Sequence, residues 1–173
     1  MKFAWKSRVT MAIGSESTLV LSGGQKPEPG KKLNSRLEAE GAEFLVLGNI
    51  LIDNIECHKA YTNFPGYDLV ALNTRAGKLA RIQVKSRWAT NRAGFFPIDN
   101  FDCDFVVHVA LHRGIRQAKV TIAEGTKIPE YYVFPASTVQ QHVSASGKIN
   151  IREIPEYVSY RDAWHLIRAH LAL

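Results

Sequence analysis

Asp68, Gln83 and Lys85 are the residues of this sequence whose types and spacing could do chemistry together. A carboxylate and an amide oxygen are hard ligands of the kind a small divalent cation takes. An ammonium beside them can orient an attacking water or answer the charge on a phosphoryl oxygen. Such a set suits phosphodiester hydrolysis if the fold brings it together. Residues 64–72 and 79–87 are rich in apolar and β-branched side chains and read as two strands. Residues 73–78, with Gly77 among them, supply the turn. Side chains alternate along a strand, so Ile82 and Val84 share one face while Arg81, Gln83, Lys85 and Arg87 share the other. A hairpin symmetric about Arg75 and Ala76 sets Asp68 opposite Gln83. Polar groups are costly on a strand that packs by burial, so this patch calls for a function.

Charge points the same way. The formal net charge of +6 is carried entirely by residues 1–92, which hold fourteen Lys and Arg against eight Asp and Glu; residues 93–173 hold eight of each. From Arg75 to Arg92 six basic residues occur without an acid. A one-signed cluster of this kind favours a polyanion such as nucleic acid. Lys78, Arg81, Arg87 and Arg92 are the candidate phosphate contacts. Trp88, within a loop of interleaved aromatic and basic residues, either stacks on nucleic acid or anchors the loop to the core. Two cysteines, Cys57 and Cys103, make neither a disulfide framework nor a zinc site and read as buried thiols. No apolar run is long enough to span a bilayer, and the N-terminal residues do not read as a signal peptide, so the expected location is cytoplasmic and no membrane partner is expected.

The elements that must position these residues follow in order. Residues 1–33 read as a tail or linker, with a short strand possible at 17–21, and residues 34–173 as a single domain. A helix opens at Ser35, with Glu38 closing a capping box. Leu37, Gly41, Phe44, Gly48, Leu51 and Ile52 fall on one face at helical spacing, and Leu45 to Leu47 and Ile50 widen the apolar surface, so the second half of the helix is expected to be covered on most sides. Glu43 sits among apolar neighbours, too deep for a simple solvated first turn. Residues 55–60 read as an edge strand and 105–111 as a central buried strand. Asp99, Asp102 and Asp104 read as a solvated loop in preference to a metal cluster, and His108 and His112 as structural. Further strands are expected at 120–122, 131–134 and 148–152, with a short helix at 136–143. A second capping box at Ser159 is expected to open a final helix with Trp164, Ile167 and Leu171 on its core face.

A helix with Glu43, a strand with Asp68 and a strand with Gln83-Val84-Lys85 resemble, in that order, the PD-(D/E)XK nuclease superfamily. The members that carry Gln in the (D/E)XK position, group I intron homing endonucleases among them, are the most similar. The resemblance covers about residues 35–135. It implies an α/β (α+β) restriction-endonuclease-like core, with a mixed central sheet flanked by helices. It implies a Mg2+- or Mn2+-dependent endonuclease acting on DNA, working as a dimer or higher oligomer. Catalysis would fall to Glu43, Asp68, Gln83 and Lys85, and the metal to Asp68, Gln83, the Val84 carbonyl and Glu43, with Glu40 the alternative helix glutamate. Two departures stand out: Gly66-Tyr67 precedes Asp68 where the family has proline, and Gln83 replaces an acid. Loss of one negative charge lowers the expected affinity for a hard cation. An inactive nucleic-acid-binding module on the same fold, or a nuclease for branched DNA, are the alternatives.

Overall fold

The computed structural model describes residues 34–60, 66–117, 120–122 and 124–173. The tail at 1–33, with the strand expected at 17–21, lies outside the described residues, as do Phe64 and Pro65 of the first hairpin strand. In chain order the elements are α1 (Ser35–Ile52), β1 (Glu56–Lys59), β2 (Leu69–Asn73), β3 (Lys78–Arg87), β4 (Phe95–Pro97), β5 (Phe105–Ala110) and β6 (Ile115–Gln117). Then come β7 (Val120–Ile122), β8 (Glu130–Pro135), α2 (Ala136–Gln141), β9 (Lys148–Asn150) and α3 (His165–Leu171).

Five strands form a mixed sheet in the order β1-β2-β3-β5-β8. Only β3 and β5 are parallel; the other neighbours are antiparallel. Every residue of β5 is buried, because apolar layers cover both faces of the sheet. One layer joins Ala42, Val46 and Ile50 of α1 and Ile167 and Leu171 of α3 to Leu69, Ala71, Ala80, Ile82 and Val107. On the opposite face, Phe96, Ile98, Val106, Phe134, Val139 and Ile149 form the second layer. The β2–β3 register runs from Asn73↔Lys78 to Leu69↔Ile82, symmetric about Arg75 and Ala76 as the sequence requires. Buried Asn73 ties the turn down: its Oδ1 accepts the Ala76 N–H at 3.2 Å, and its Nδ2 donates to the Leu171 carbonyl at 2.9 Å.

Several expectations are corrected. The N-cap of α1 is Asn34, whose side chain accepts the N–H groups of Arg36 and Leu37. No capping box forms, because Glu38 receives the hydroxyl of Ser86 on β3 at 3.3 Å instead. The buried stripe of α1 is Ala42, Val46 and Ile50, and Leu37, Phe44, Leu51 and Ile52 are exposed. Apolar residues surround much of this helix, so periodicity alone allows two stripes. The one chosen is narrow at Ala42 and Val46, which lets α1 sit close on the sheet. Ser159 lies in a 3-10 turn, Tyr157–Tyr160, and α3 begins only at His165. Glu156 and Asp162 adopt positive φ on either side of that turn, which separates it from the helix. The loop after β3 contains β4, which pairs with β9, and β6, which the sequence did not suggest, pairs with β7. Cys57 and Cys103 are buried and free, and burial pushes their thiols up to about 12 and about 11. Among the described residues no helix is long and apolar enough to cross a membrane.

Candidate active site

The site forms where the β2–β3 ladder opens. Extending the register one step past Leu69↔Ile82 brings Asp68 level with Gln83. There the pairing changes: the Asp68 N–H donates to the Ile82 carbonyl at 2.9 Å, while the Asp68 carboxylate takes up the Val84 N–H through Oδ2 at 2.7 Å. One carboxylate oxygen therefore stands in for a ladder carbonyl, and the other takes no part in the ladder. Gly66 makes this turn possible. Its φ is +107°, and a Cβ there would meet the Asp102 Cβ at 2.9 Å and the Asp102 carbonyl at 3.0 Å. Burial lifts the Asp68 carboxyl above its ordinary value, against the Val84 N–H and the charges of Lys85 and Lys59, which lower it.

Gln83 is buried, and its Oε1 has no hydrogen-bond donor among the described residues. An orphaned buried acceptor costs about 1–3 kcal/mol, and native structures keep few of them. Lys85, two residues on, forms no ion pair among the described residues. Its backbone is held from behind, because His108, its register partner on β5, approaches the Lys85 carbonyl through Nδ1 at 3.1 Å and the Ala93 carbonyl through Nε2. Burial pushes His108 down to about 4, against the Ala93 and Lys85 carbonyls, which raise it. His112 sits 3.2 Å from Glu130, also in the interior and away from this cleft.

Glu43 comes from the third turn of α1. Lys59 of β1, its side chain only 6% exposed, bridges Glu43 at 2.9 Å and Glu40. Burial raises the Glu43 carboxyl, the Lys59 hydrogen bond opposes this, and the nearby Asp68 charge adds to it. Glu43 is thus the helix glutamate electrostatically coupled to Asp68, while Glu40 lies farther out, 46% exposed. Lys59 went unnoticed in the sequence because it precedes the hairpin and belongs to no motif; only strand pairing brings it beside α1.

The basic residues divide. Arg81 is engaged within the protein: its Nε donates to Asp104 Oδ2 and a terminal nitrogen to Oδ1, both at 3.2 Å, and it also pairs with Asp102. Arg81 thus answers these two acids, and Asp102, 60% exposed, lies in an irregular, solvated segment before β5, as expected, with Asp104 the more enclosed of the pair. Lys78 is exposed at the turn end of β3, five residues or roughly 17 Å along the strand from Gln83. Arg87 donates from Nε to the Phe95 carbonyl at 2.6 Å. Burial lowers its pKa, Glu38 opposes that, and the charges of Arg92 and Arg116 add to it. Arg116, on β6, was missed because that strand was. Trp88, half-buried, lines a groove of about 560 Å³ with Leu37, Leu45, Leu111 and Pro129.

Among the described residues no three His, Cys, Asp or Glu side chains gather as a metal site. The donor set of one carboxylate oxygen, one orphaned amide oxygen and the adjoining strand carbonyl is all oxygen, which fits Mg2+ or Mn2+ and not a thiolate- or imidazole-bound ion.

No curated protein matches the sequence. A bacterial homing endonuclease of solved structure superposes with a TM-score of 0.55 at 21% identity, over 81% of this chain and 97% of that one, and so shares its fold. The family described as PD-(D/E)XK endonuclease matches residues 33–167, which span α1, the opened hairpin and the whole five-stranded sheet. With that match over most of its length, the chain belongs to the PD-(D/E)XK endonuclease family.

Proposed function

We propose that this protein is a Mg2+- or Mn2+-dependent endonuclease that hydrolyses DNA phosphodiester bonds in the cleft where β2 and β3 part. The observation that carries this reading is the buried Gln83 Oε1 without a donor, level with a carboxylate that burial has made harder to ionise. Asp68 and Gln83 would hold the cation, with the Val84 carbonyl beside them. When bound, such an ion supplies a water acidic enough to attack near neutral pH and neutralises charge on the phosphoryl oxygens. Asp68 presents one oxygen because the other is fixed by the Val84 N–H. Glu43 holds a water at the rim of the site. Lys85 orients the attacking water or answers the developing charge on the phosphate. Arg87, Arg92 and Arg116 bind flanking phosphates, a role supported by their mutual proximity. A dimer or higher oligomer serves cleavage of both strands, one centre per strand, and a cytoplasmic setting with residues 34–173 as one domain completes the reading.

The test is plasmid DNA incubated with Mg2+ or Mn2+ and with wild type, Asp68→Ala or Lys85→Ala. Cleavage by wild type and its loss in both variants is the expected result. Salt-dependent binding with no cleavage under either metal would instead establish a DNA-binding module, the second reading that the acid-to-amide change at position 83 favours. Gln83→Glu restores a charge and is expected to tighten Mg2+ binding about tenfold. An unchanged affinity, read by calorimetry, would remove Gln83 from the ligand set.

A further inference from the structure

Lys59 is the least expected member of this neighbourhood. An ammonium whose side chain is only 6% exposed needs a specific counter-charge, and among the described residues Glu43, at 2.9 Å, and Glu40 supply it. It also lies over the Phe44 ring, 4.6 Å from the centroid. Strand pairing fixes its place: Lys59 is opposite Leu69, and the next residue, Ala60, donates its N–H to the Asp68 carbonyl at 2.8 Å. The cation is therefore tied by backbone to the strand that carries Asp68 and by side chain to the helix that carries Glu43.

We infer that Lys59 is a positioning residue that holds Glu43 outside direct metal coordination and sets the charge seen by the cation. This rests on the metal-site reading above and refines it. A carboxylate hydrogen-bonded to a buried ammonium has one oxygen occupied and its charge largely answered. It can accept a hydrogen bond from a metal-bound water, but it is a poor inner ligand. Glu40, 46% exposed, shares the same ammonium from its solvent side, so the three groups carry one net negative charge and Glu43, the more enclosed acid, stays tied to Lys59. The consequence is a site whose inner protein ligands are Asp68, Gln83 and the strand carbonyl alone, with a single formal negative charge.

The experiment is titration of the full-length protein with Mn2+ alone, followed by calorimetry and by the electron paramagnetic resonance of free Mn2+. Wild type is expected to bind, and Asp68→Asn to lose binding. If wild type binds no Mn2+, the metal-site reading itself fails, and this inference with it. Lys59→Gln keeps hydrogen-bond donors but removes the charge, and is expected to raise Mn2+ affinity about fivefold. Lys59→Arg, which keeps the charge, should stay within about twofold of wild type. The double variant Lys59→Gln/Glu43→Gln restores the original net charge with an amide pair and should also bind within about twofold of wild type. A tenfold or greater loss in the double variant would show that Glu43 is an inner ligand and overturn the inference, even where wild type and Asp68→Asn behave as expected. No gain in affinity in a folded Lys59→Gln would overturn it equally. If the single variant does not fold, the double variant decides.

Discussion

Two acid–base clusters flank strand β3, and they are built from the same residue types to opposite ends. Near its middle, Arg81 meets Asp104 through a two-pronged contact, takes in Asp102, and places its own backbone N–H on Asp104 Oδ2 at 2.7 Å. Burial works against the Asp104 charge, but the bonds from Arg81 prevail and the carboxyl lies below its ordinary value. Two residues further along, Asp68 accepts one backbone N–H, lies beside an amide oxygen with no donor, and has its carboxyl raised. The first cluster is satisfied from within and contributes to stability. The second is left short of positive charge and hydrogen bonds, the condition expected of a site waiting for a ligand.

Activity should separate them most sharply. Asp68→Ala is expected to reduce metal-dependent cleavage about a thousandfold or more. Asp104→Ala should leave the turnover of its folded fraction within about threefold of wild type, as measured on the same plasmid. Equal losses in both would erase the distinction. Stability should separate them in the opposite sense. Asp104→Ala removes a fork and a backbone partner together and is expected to cost about 1–3 kcal/mol in urea unfolding at neutral pH. Because the folded pKa of Asp104 is depressed, that contribution is present above its unfolded value near 3.8 and disappears as pH falls through the folded value. The gap between wild type and Asp104→Ala should therefore close in acid.

Asp68→Asn is expected to raise the Tm of the metal-free protein by roughly 2–5 °C, because the charge it removes is one the fold disfavours. The sign is the reverse of Asp104. A raised folded pKa means that the charged form weakens the fold as pH climbs from 3.8 through the folded value, so the gain should vanish on acidification. A lower Tm for Asp68→Asn at neutral pH would place Asp68 among the satisfied residues. The smallest effect belongs to the arginines. Arg92→Ala and Arg116→Ala should each flatten the salt dependence of DNA binding by about one unit of slope. Arg81→Ala, measured in its folded fraction, should leave the slope as it is.

The hairpin was legible because its evidence is local. Alternation, a turn with Gly77 and a symmetric register are properties of twenty consecutive residues, and Asp68, Gln83 and Lys85 follow from them. The central strand 105–110 and the strand ended by Pro135 were legible for the same reason. The helix was legible in its extent but not in its orientation: apolar residues lie almost all round α1, and only contact with the sheet selects Ala42, Val46 and Ile50 over Leu37, Phe44 and Leu51. The capping box expected at α1 failed because Asn34 offered a competing cap and Glu38 found a partner 48 residues away, and the one expected at Ser159 because that residue lies in a 3-10 turn set apart from α3 by Asp162.

The amino-acid order by itself determined which strand pair carries a carboxylate level with an amide and an ammonium two residues on, since register and alternation need no information from elsewhere in the chain. Tertiary structure alone decided what surrounds them. It paired Arg81 with Asp104, set Trp88 at the groove beside α1, brought the Arg116 charge near Arg87, and placed Lys59 between glutamates sixteen and nineteen residues upstream. Each of those outcomes depends on residues distant in sequence meeting across packed layers, where an ion pair or a buried ring is fixed by what the facing element offers and not by its neighbours along the chain.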